Sequence, residues 1–321
     1  MAQTTSQQAR AEAVLTQPRI QTAAPSWVRE NLFALVCIAP SILVLFALTI
    51  FPLVYAAYIS FHDFYMPRPH AMQFVGLQNY GDIFVDSRFW ISLKQSAFFM
   101  VGSISVEFIL GASLALFFFE EFRGRSAKAA YLPMILVPMM IAPVVVGYMW
   151  RLLYQVQFGP INYLLLEFLN IGPFEWTSNP QTALLSVIIA DIWQWTPFVT
   201  LVMLAGIVSL PQELFEVAEI DGASVFQRAR YIILPMLRRV IAIILLIRVL
   251  DAFREFDKIF VLTQGGPGTA TETAVFYAYL SGFKYFKVGY ASAMSILLLI
   301  VTVIICVAIA KVFHKEQPGE A

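Results

Sequence analysis

Several charged side chains lie inside long apolar stretches, where an ionisable group is costly and usually has a partner or a function. Glu107 lies midway along one such stretch, and Asp191 lies in another beside Trp193 and Trp195. Protein sites for sugars combine polar anchors with aromatic faces, so Asp191 and its two tryptophans are predicted to contact a polar solute. The alternative is an acid bonded to a neighbouring helix. That is the favoured interpretation for Glu107, which is also kept as a candidate residue of the solute pathway.

A denser set of charges follows further along the chain. Arg248 and Asp251 are three residues apart, and the charged residues that follow are Arg254, Glu255, Asp257 and Lys258. Residues three apart on a helix are neighbours, so ion pairs can form along this segment. At about 1.5 Å per residue, Arg248 is predicted near the middle of a span and Lys258 near its outer boundary. The segment is interpreted either as a ladder of structural ion pairs or, with Arg248 and Asp251, as part of a solute pathway.

Residue types needed for catalysis or metal binding are not grouped in the sequence. The histidines His62, His70 and His314 lie near no cysteine or carboxylate at metal-ligand spacing. Cys37 and Cys306 both lie in apolar stretches, where a lone cysteine is usually a small packing residue. A GxxxxGK[ST] phosphate loop does not occur. We therefore expect no catalytic residue, no metal and no cofactor bound by this chain.

An acidic segment between residues 209 and 235 differs from the apolar stretches around it. Glutamates recur there at three-residue spacing, which places them along one side of a helix. Asp221 and Gly222 form a turn pair, because glycine supplies backbone freedom that larger residues lack. The segment is therefore predicted to form a helix, a turn and a second helix, with a bend at Pro235. The acidic side consists of Glu213, Glu216 and Glu219, and apolar contacts are predicted at Phe215, Ala218 and Phe226. A short acidic helix at a surface is suited to dock into another protein.

The composition indicates a membrane protein. Of the 321 residues, 59% are hydrophobic and 13% are charged, and the mean hydropathy is +0.73. A typical soluble domain is about half apolar and about a quarter charged. The net charge is zero, so no nucleic-acid partner is predicted.

Six apolar stretches are long enough to cross a hydrocarbon layer of about 30 Å. They cover about 32–61, 96–119, 129–150, 182–210, 240–262 and 288–310. Three prolines, Pro133, Pro138 and Pro143, predict an irregular helix in the third stretch. The predicted fold class is an all-α polytopic membrane protein with six transmembrane helices. A flexible tail is expected over 1–30, the transmembrane domain over 31–313 and a second tail over 314–321.

Lysine and arginine are unevenly divided between the segments that connect these stretches. One side, which includes both tails and the segments 120–128 and 208–239, carries twelve of them, and the other side carries four. Because cytoplasmic segments are enriched in lysine and arginine, the richer side is predicted to be the cytoplasm. Both termini are therefore expected to be cytoplasmic.

The acidic segment resembles a motif of a known protein family. It is similar to the EAA loop of ABC importer permeases in both residue type and spacing. The matching residues are Glu216, Ala218, Asp221, Gly222, Ala223, Leu234 and Pro235. The segments 74–80, 158–162 and 256–267 resemble the carbohydrate-uptake branch, and best fit its maltose and glycerol-phosphate type. Val217 and Ala229 depart from the family pattern, but neither touches the Asp-Gly turn.

The resemblance, which covers about residues 30–313, implies a fold, a set of partners and a mechanism. The implied fold is that of type I ABC importer permeases, in a bacterial inner membrane. The implied partners are a second permease subunit, two ATP-binding subunits that hold ATP and Mg, a periplasmic solute-binding protein and the lipid bilayer. The loop 211–235 is expected to lie in a cleft of an ATP-binding subunit. The two permeases would enclose the path of a sugar or sugar-like solute and alternate its access.

Two other function classes compete with this interpretation. A secondary transporter driven by an ion gradient would explain carboxylates inside the spans, but it predicts paired broken helices in two matching halves. A membrane-embedded enzyme would need a catalytic cluster at membrane depth. Neither class explains the acidic cytoplasmic loop.

Overall fold

The computed structural model describes residues 26–121 and 128–314, most of them helical. These residues form two compact units, which divide between Tyr55 and Ala56. Most of the two predicted tails, 1–25 and 315–321, lies outside the described residues, as do Arg123 and Arg125.

The first unit is helical throughout its described part. Helix α1 covers Ser26–Leu45 and contains Pro40, and a π-helical turn covers Phe46–Ile50. Helix α2, Phe51–Ser60, continues into the second unit. The stretch Val36–Ser60 is long and apolar enough to cross a membrane, in agreement with the predicted first span. Helix α1 begins at Ser26, within the predicted tail.

The second unit contains a small hairpin and a series of helices. Strands β1 (His62–Asp63) and β2 (Gln73–Phe74) pair antiparallel, with His62 opposite Phe74. Helices follow as α3 Gln78–Val85, α4 Ser87–Glu121, α5 Lys128–Met140, α6 Pro143–Leu153, α7 Pro160–Leu169 and α8 Ala183–Val208. Further helices are α9 Gln212–Ile220, α10 Val225–Arg228, α11 Leu234–Met236, α12 Arg238–Phe253, α13 Asp257–Leu262, α14 Ala274–Tyr279 and α15 Val288–His314.

Helices α4 and α8 pack along each other in the same direction. Gly102 lies against Ile188 near one end of the pair, and Gly111 lies against Val199 further along. A Cβ atom on Gly111 would lie 2.6 Å from the Cβ of Val199, so only glycine allows this close approach. Because α4 and α8 run in the same direction, the chain has to run back from the end of α4 to the start of α8. Helices α5 and α6 form this returning segment.

The return is irregular, as its prolines predict. Helix α5 ends at Met140 and α6 begins at Pro143, with a bend of 99° between Pro133–Met140 and Pro143–Leu153. Proline lacks a backbone N–H and cannot continue the hydrogen-bond ladder of the preceding turn. The expected helix irregularity is confirmed.

The predicted number of six spans is matched only in part. Within residues 26–121 and 128–314, four helices are long and apolar enough to cross a membrane, and the bent pair makes a fifth if it counts as one span. The predicted span 240–262 consists of α12 and α13, separated by a break at 254–256. The sixth crossing therefore stays a prediction.

The topology is testable by labelling single cysteines, after Cys37 and Cys306 are replaced. Gln78 and Lys284 are exposed and predicted outside, whereas Asp221 is exposed and predicted inside. In intact cells, cysteines at Gln78 and Lys284 should react with an impermeant thiol reagent, and one at Asp221 should react only after permeabilisation. Labelling of Asp221 in intact cells would contradict the topology.

Candidate functional site

The buried charges of the second unit meet around Arg248 on α12. Its Nε donates to Glu107 Oε2 at 2.7 Å and its Nη2 donates to Glu107 Oε1 at 3.0 Å. Arg248 thus forms a bidentate, or two-pronged, ion pair with Glu107 on α4. The same Nη2 donates to Asp191 Oδ2 on α8 at 2.9 Å. All three side chains are at most 1% exposed. One guanidinium therefore ties α12 to both α4 and α8.

Lys258 on α13 extends these contacts. Its Nζ lies 3.0 Å from Asp191 Oδ1 and 2.7 Å from Glu255 Oε2, and it donates to Gln194 Oε1 at 3.0 Å. The Nε2 of Gln194 donates at 2.8 Å to the carbonyl of Ile141, which lies at the bend between α5 and α6. This bond satisfies a carbonyl that the helix break leaves without an intrahelical partner.

We name these residues the buried charge cluster: Glu107, Asp191, Gln194, Arg248, Glu255 and Lys258. An unpaired charge inside a protein costs several kcal/mol, so buried ions need partners of opposite sign. Three carboxylates here face two cations, and each carboxylate has an oxygen within 3.0 Å of a cationic nitrogen. In this conformation the charged groups of the cluster are paired with one another and buried away from solvent. Among the described residues, no group of His, Cys, Asp and Glu side chains is arranged to hold a metal ion.

The two tryptophans of α8 have different neighbours. The guanidinium carbon of Arg248 lies 4.8 Å from the ring centroid of Trp195, within the range of a cation–π contact. Trp193 packs edge-on against Trp150, with 6.0 Å between the ring centroids. Two-residue spacing on a regular helix points side chains to different faces. Trp195 therefore contacts the buried charge cluster from its edge, and Trp193 packs against the apolar core.

Asp251 lies outside the cluster, although it is close to Arg248 in sequence. Its side chain is 34% exposed, and its Oδ1 lies 3.3 Å from the Nη2 of Arg254, which is itself 68% exposed. Of the ion pairs predicted along this segment, the structure forms this one. Arg248 turns instead toward the carboxylates of other helices.

The predicted position of Lys258 is wrong. It was expected near the outer boundary, but it is 0% exposed and contacts Asp191, which the sequence places near the middle of a span. The reason is the break after Phe253, because the chain turns through 254–256 before α13 begins. A constant rise of about 1.5 Å per residue does not hold across such a break.

The acidic segment begins with α9, whose two faces differ. Phe215 is 1% exposed and lies 4.9 Å from the ring of Phe119 on α4, measured between centroids. Ala218 is buried on the same face. The opposite face turns Glu216 and Ile220 to solvent, and Ile220 is 86% exposed. Helix α9 is thus anchored by its apolar face and presents an acidic and aliphatic surface.

The turn after α9 requires glycine. Gly222 has a φ of +71°, and its N–H donates to the Glu219 carbonyl at 3.1 Å. The N–H of Ala223 donates to the Ala218 carbonyl at 2.9 Å, and these two bonds form the usual glycine-terminated helix end. Ser224 then caps α10 through a reciprocal capping box. The predicted helix, turn and helix are confirmed.

The remaining motif residues lie where the chain leads into α12. A π-helical turn at Ala229–Ile233 precedes α11, in which Leu234 is half-buried and Pro235 is exposed. The predicted apolar contact of Phe226 is wrong for this chain, because its side chain is 76% exposed. Arg228 points inward from the same short helix, and residues two apart point to different sides.

These two features, an anchored acidic helix and helices joined by buried charges, lie in a chain that matches a known family. The family described as "Binding-protein-dependent transport system inner membrane component" matches residues 107–316. This range contains both the buried charge cluster and the acidic segment. The chain belongs to this family. It is a permease. The acidic segment 211–235 is hereafter called the coupling loop, after the role proposed for it below.

Individual relatives agree with this assignment. The permease is 42% identical over 245 residues to a probable ABC transporter permease protein of Sinorhizobium fredii, covering 76% of this chain and 78% of the relative. It is 36% identical to the trehalose/maltose transport system permease protein MalF of Thermococcus litoralis, covering 88% and 94%. A crystal structure of a bacterial alginate ABC transporter, in complex with an alginate pentasaccharide-bound periplasmic protein, contains a chain with the same fold. Its TM-score is 0.75 at 21% identity, with coverage of 88% of this chain and 94% of that chain.

Sequence reasoning identified part of the buried charge cluster and missed the rest. Glu107, Asp191 and Arg248 were predicted as site residues, whereas Glu255 and Lys258 were noted only as charges of the same segment. The signal that could have found them is their three-residue spacing, because it allows the local ion pair that forms at the start of α13.

The cluster predicts a difference between two aspartates. Asp191→Asn removes the charge that lies between Arg248 and Lys258, so we expect the free energy of unfolding to fall by about 3 kcal/mol. Asp251→Asn breaks a half-exposed pair and should cost about 1 kcal/mol or less. Thermal unfolding of the purified permease in detergent measures both.

A second-site change provides the control. Lys258→Gln in the Asp191→Asn background removes the other side of a contact that Asp191→Asn has already broken, so the stability loss of the double variant should be smaller than the sum of the two single losses. Unchanged stability in Asp191→Asn, together with altered solute selectivity, would place Asp191 in the solute path instead.

Proposed function

We propose that this permease is one of two membrane-spanning subunits of an ATP-driven importer for a saccharide. A second permease, two ATP-binding subunits and a periplasmic solute-binding protein would complete the assembly. The coupling loop is the observation that carries the proposal. Phe215 and Ala218 hold α9 to the body of the permease, while Glu216 and Ile220 face outward. An exposed Ile beside a carboxylate on an anchored helix suits insertion into a cleft of an ATP-binding subunit.

Relatives support a saccharide as the solute. The protein from Thermococcus litoralis carries trehalose and maltose in its name and is similar over nearly its whole length. The alginate transporter shares the fold and also handles a saccharide. We infer that the solute is a sugar, an oligosaccharide or a sugar derivative.

A cavity of about 680 Å³ on the predicted outer side supports docking of a solute-binding protein. One wall contains Asp86, whose Oδ2 accepts hydrogen bonds from the hydroxyls of Tyr277 and Tyr290, each at 2.6 Å. Burial alone would raise the pKa of Asp86, but these bonds and the backbone N–H groups of Arg88 and Phe89 lower it below its usual value. The carboxylate therefore stays charged at neutral pH. Its hydrogen bonds hold the hydroxyls of Tyr277 and Tyr290 in place in the cavity wall.

An ion pair braces the same region. Arg88 donates from Nε and Nη2 to the two carboxylate oxygens of Glu272, each at 2.7 Å. The guanidinium carbon also lies 4.9 Å from the ring centroid of Tyr277. A rigid, polar and aromatic concavity of this kind suits a protein partner that docks and leaves in each transport cycle.

The six residues predicted for the solute pathway lie in three different environments. Glu107, Asp191 and Arg248 are sealed inside the buried charge cluster, and we infer that they join α4, α8 and α12 into a body that moves as one. Asp251 and Trp195 keep part of their surface accessible. These two are better placed to contact solute, and Trp193 supports them from the core.

The proposed function predicts uptake that depends on ATP. Reconstituted with its partner permease, ATP-binding subunits and solute-binding protein, the complex should import radiolabelled trehalose or maltose into proteoliposomes that contain ATP. Removal of the phosphate-loop lysine of the ATP-binding subunits, or addition of vanadate, should abolish uptake. Uptake that persists without ATP and collapses with an ionophore would instead indicate a secondary transporter.

The coupling loop predicts a difference between two substitutions of Gly222. Open space surrounds the position of a Cβ atom there, and Asn tolerates the left-handed conformation better than other residues. Gly222→Asn should therefore cost about 1 kcal/mol at most and keep uptake near the wild-type rate. Gly222→Asp adds a charge of nearly the same shape to the docking surface, so ATP-binding subunits should dissociate or uptake should fall.

Copurification of the subunits separates the two effects. If Gly222→Asp retains its ATP-binding subunits and transports normally, the loop does not dock as proposed. Equal losses in both variants would point to the backbone of the turn, not to the charge.

A further inference from the structure

Arg228 connects the coupling loop to the end of helix α4. Its Nη1 donates to Glu219 Oε1 on α9 at 2.8 Å, and its Nη2 donates to Glu120 Oε2 on α4 at 3.1 Å. The arginine side chain is 8% exposed, whereas Glu120 is 24% exposed and Glu219 is 47% exposed. One buried cation is thus shared between two acids that belong to different helices.

The sharing leaves two polar atoms without a hydrogen bond. Arg228 Nε and Glu120 Oε1 are both buried and lack a partner among the described residues. A missing bond at a buried polar atom costs about 1–3 kcal/mol. The unpaired donor is on Arg228 and the unpaired acceptor is on Glu120, and these two side chains already share one hydrogen bond. A rotation of the guanidinium toward Glu120 would add a bond from Nε to Oε1 and give both atoms a partner.

A guanidinium that holds both oxygens of one carboxylate already occurs at another acid of helix α4. Arg248 uses Nε and Nη2 to hold both oxygens of Glu107, with distances of 2.7 and 3.0 Å. Two-pronged pairs of this kind are the stronger form of an arginine–carboxylate contact. Glu107 and Glu120 both lie on α4, about 20 Å apart at the rise of an α-helix. Helix α4 therefore carries one complete two-pronged pair and one incomplete pair.

The position of Glu120 argues against a role in stabilising its own helix. It lies in the last turn of α4, which carries no basic residue. The C-terminal end of a helix has negative partial charge, so a carboxylate there is unfavourable without a nearby cation. Among the described residues, the cation paired with this acid is Arg228, which comes from the coupling loop.

We propose that Arg228 is the positioning residue through which displacement of α9 reaches α4. In the present state Arg228 is shared between Glu219 and Glu120. When closure of the ATP-binding subunits moves α9, Glu219 withdraws and Arg228 takes the two-pronged pairing with Glu120. Helix α4 then carries the displacement to the buried charge cluster through Glu107 and Arg248. The inference rests on the proposed function, because it requires an ATP-binding subunit at the coupling loop.

Two carboxylate-to-amide changes on the same arginine should have opposite effects. Glu219→Gln weakens the shared state and favours the two-pronged pair, so basal ATP hydrolysis of the assembled complex should rise about fivefold. Glu120→Gln weakens the two-pronged pair and should lower basal hydrolysis by about the same factor. Hydrolysis is measured in nanodiscs with ATP and Mg alone, so the solute need not be known. Both changes preserve side-chain shape, and copurified subunits report assembly.

A double-mutant cycle assigns the effects to Arg228. Lysine keeps the positive charge but cannot donate two parallel hydrogen bonds to one carboxylate. In an Arg228→Lys background, both amide changes should therefore lose most of their effect on ATP hydrolysis. Arg230→Lys is the matched control, because Arg230 is exposed on the same segment, and both effects should persist in that background.

Effects of the same sign, or effects that survive in the Arg228→Lys background, would overturn the proposal, since a purely structural ion pair predicts losses in both variants. A wild-type chain that assembles with no ATP-binding subunit would overturn the proposed function itself, and this inference with it.

Discussion

The structure depends on the cost of keeping charges away from water. Arg248 is 1% exposed on α12, and its guanidinium is stable there only because Glu107 and Asp191 lie within 3.0 Å. These two acids come from α4 and α8, so one buried cation determines how three helices meet. Lys258 repeats the arrangement and adds α13. Apolar side chains alone would tolerate sliding between these helices, whereas paired charges fix the register because a broken pair leaves an uncompensated ion.

The same chemistry operates with less burial at the coupling loop. Arg228 is nearly buried, but its partners Glu120 and Glu219 keep access to water. Contacts between exposed charges are weak and screened by salt, so they can be exchanged during a cycle without a large loss of stability. Helix α4 carries an acid for each arginine, Glu107 for Arg248 and Glu120 for Arg228. One helix thus carries a buried ion pair that stays fixed and a more exposed ion pair that can exchange partners. This combination suits a transporter that has to transmit motion while its helices stay packed together.

Sequence patterns predicted local structure well where neighbouring residues decide it. The turn at Gly222 and the bend before Pro143 follow from glycine and proline chemistry within a few residues. The same reasoning failed where a helix ends without such a residue. No proline or glycine marks the break after Phe253, and the position assigned to Lys258 depended on a continuous helix. Phe226 was misplaced because Arg228, its neighbour on a one-turn helix, points inward to distant acids.

The sequence by itself determined the class of the protein. Its apolar stretches and its distribution of lysine and arginine indicated a polytopic membrane protein. The resemblance of the acidic loop and of the segments 74–80, 158–162 and 256–267 to a known family indicated a permease of the carbohydrate-uptake type. Only the tertiary structure decided which charges meet. Glu107 and Arg248 are 141 positions apart, and Arg228 and Glu120 are 108 apart. An ion pair depends on distance in space. Glu107 meets Arg248 because α4 packs against α8 and α12, with Gly111 close to Val199, and Glu120 meets Arg228 because α9 packs against the end of α4.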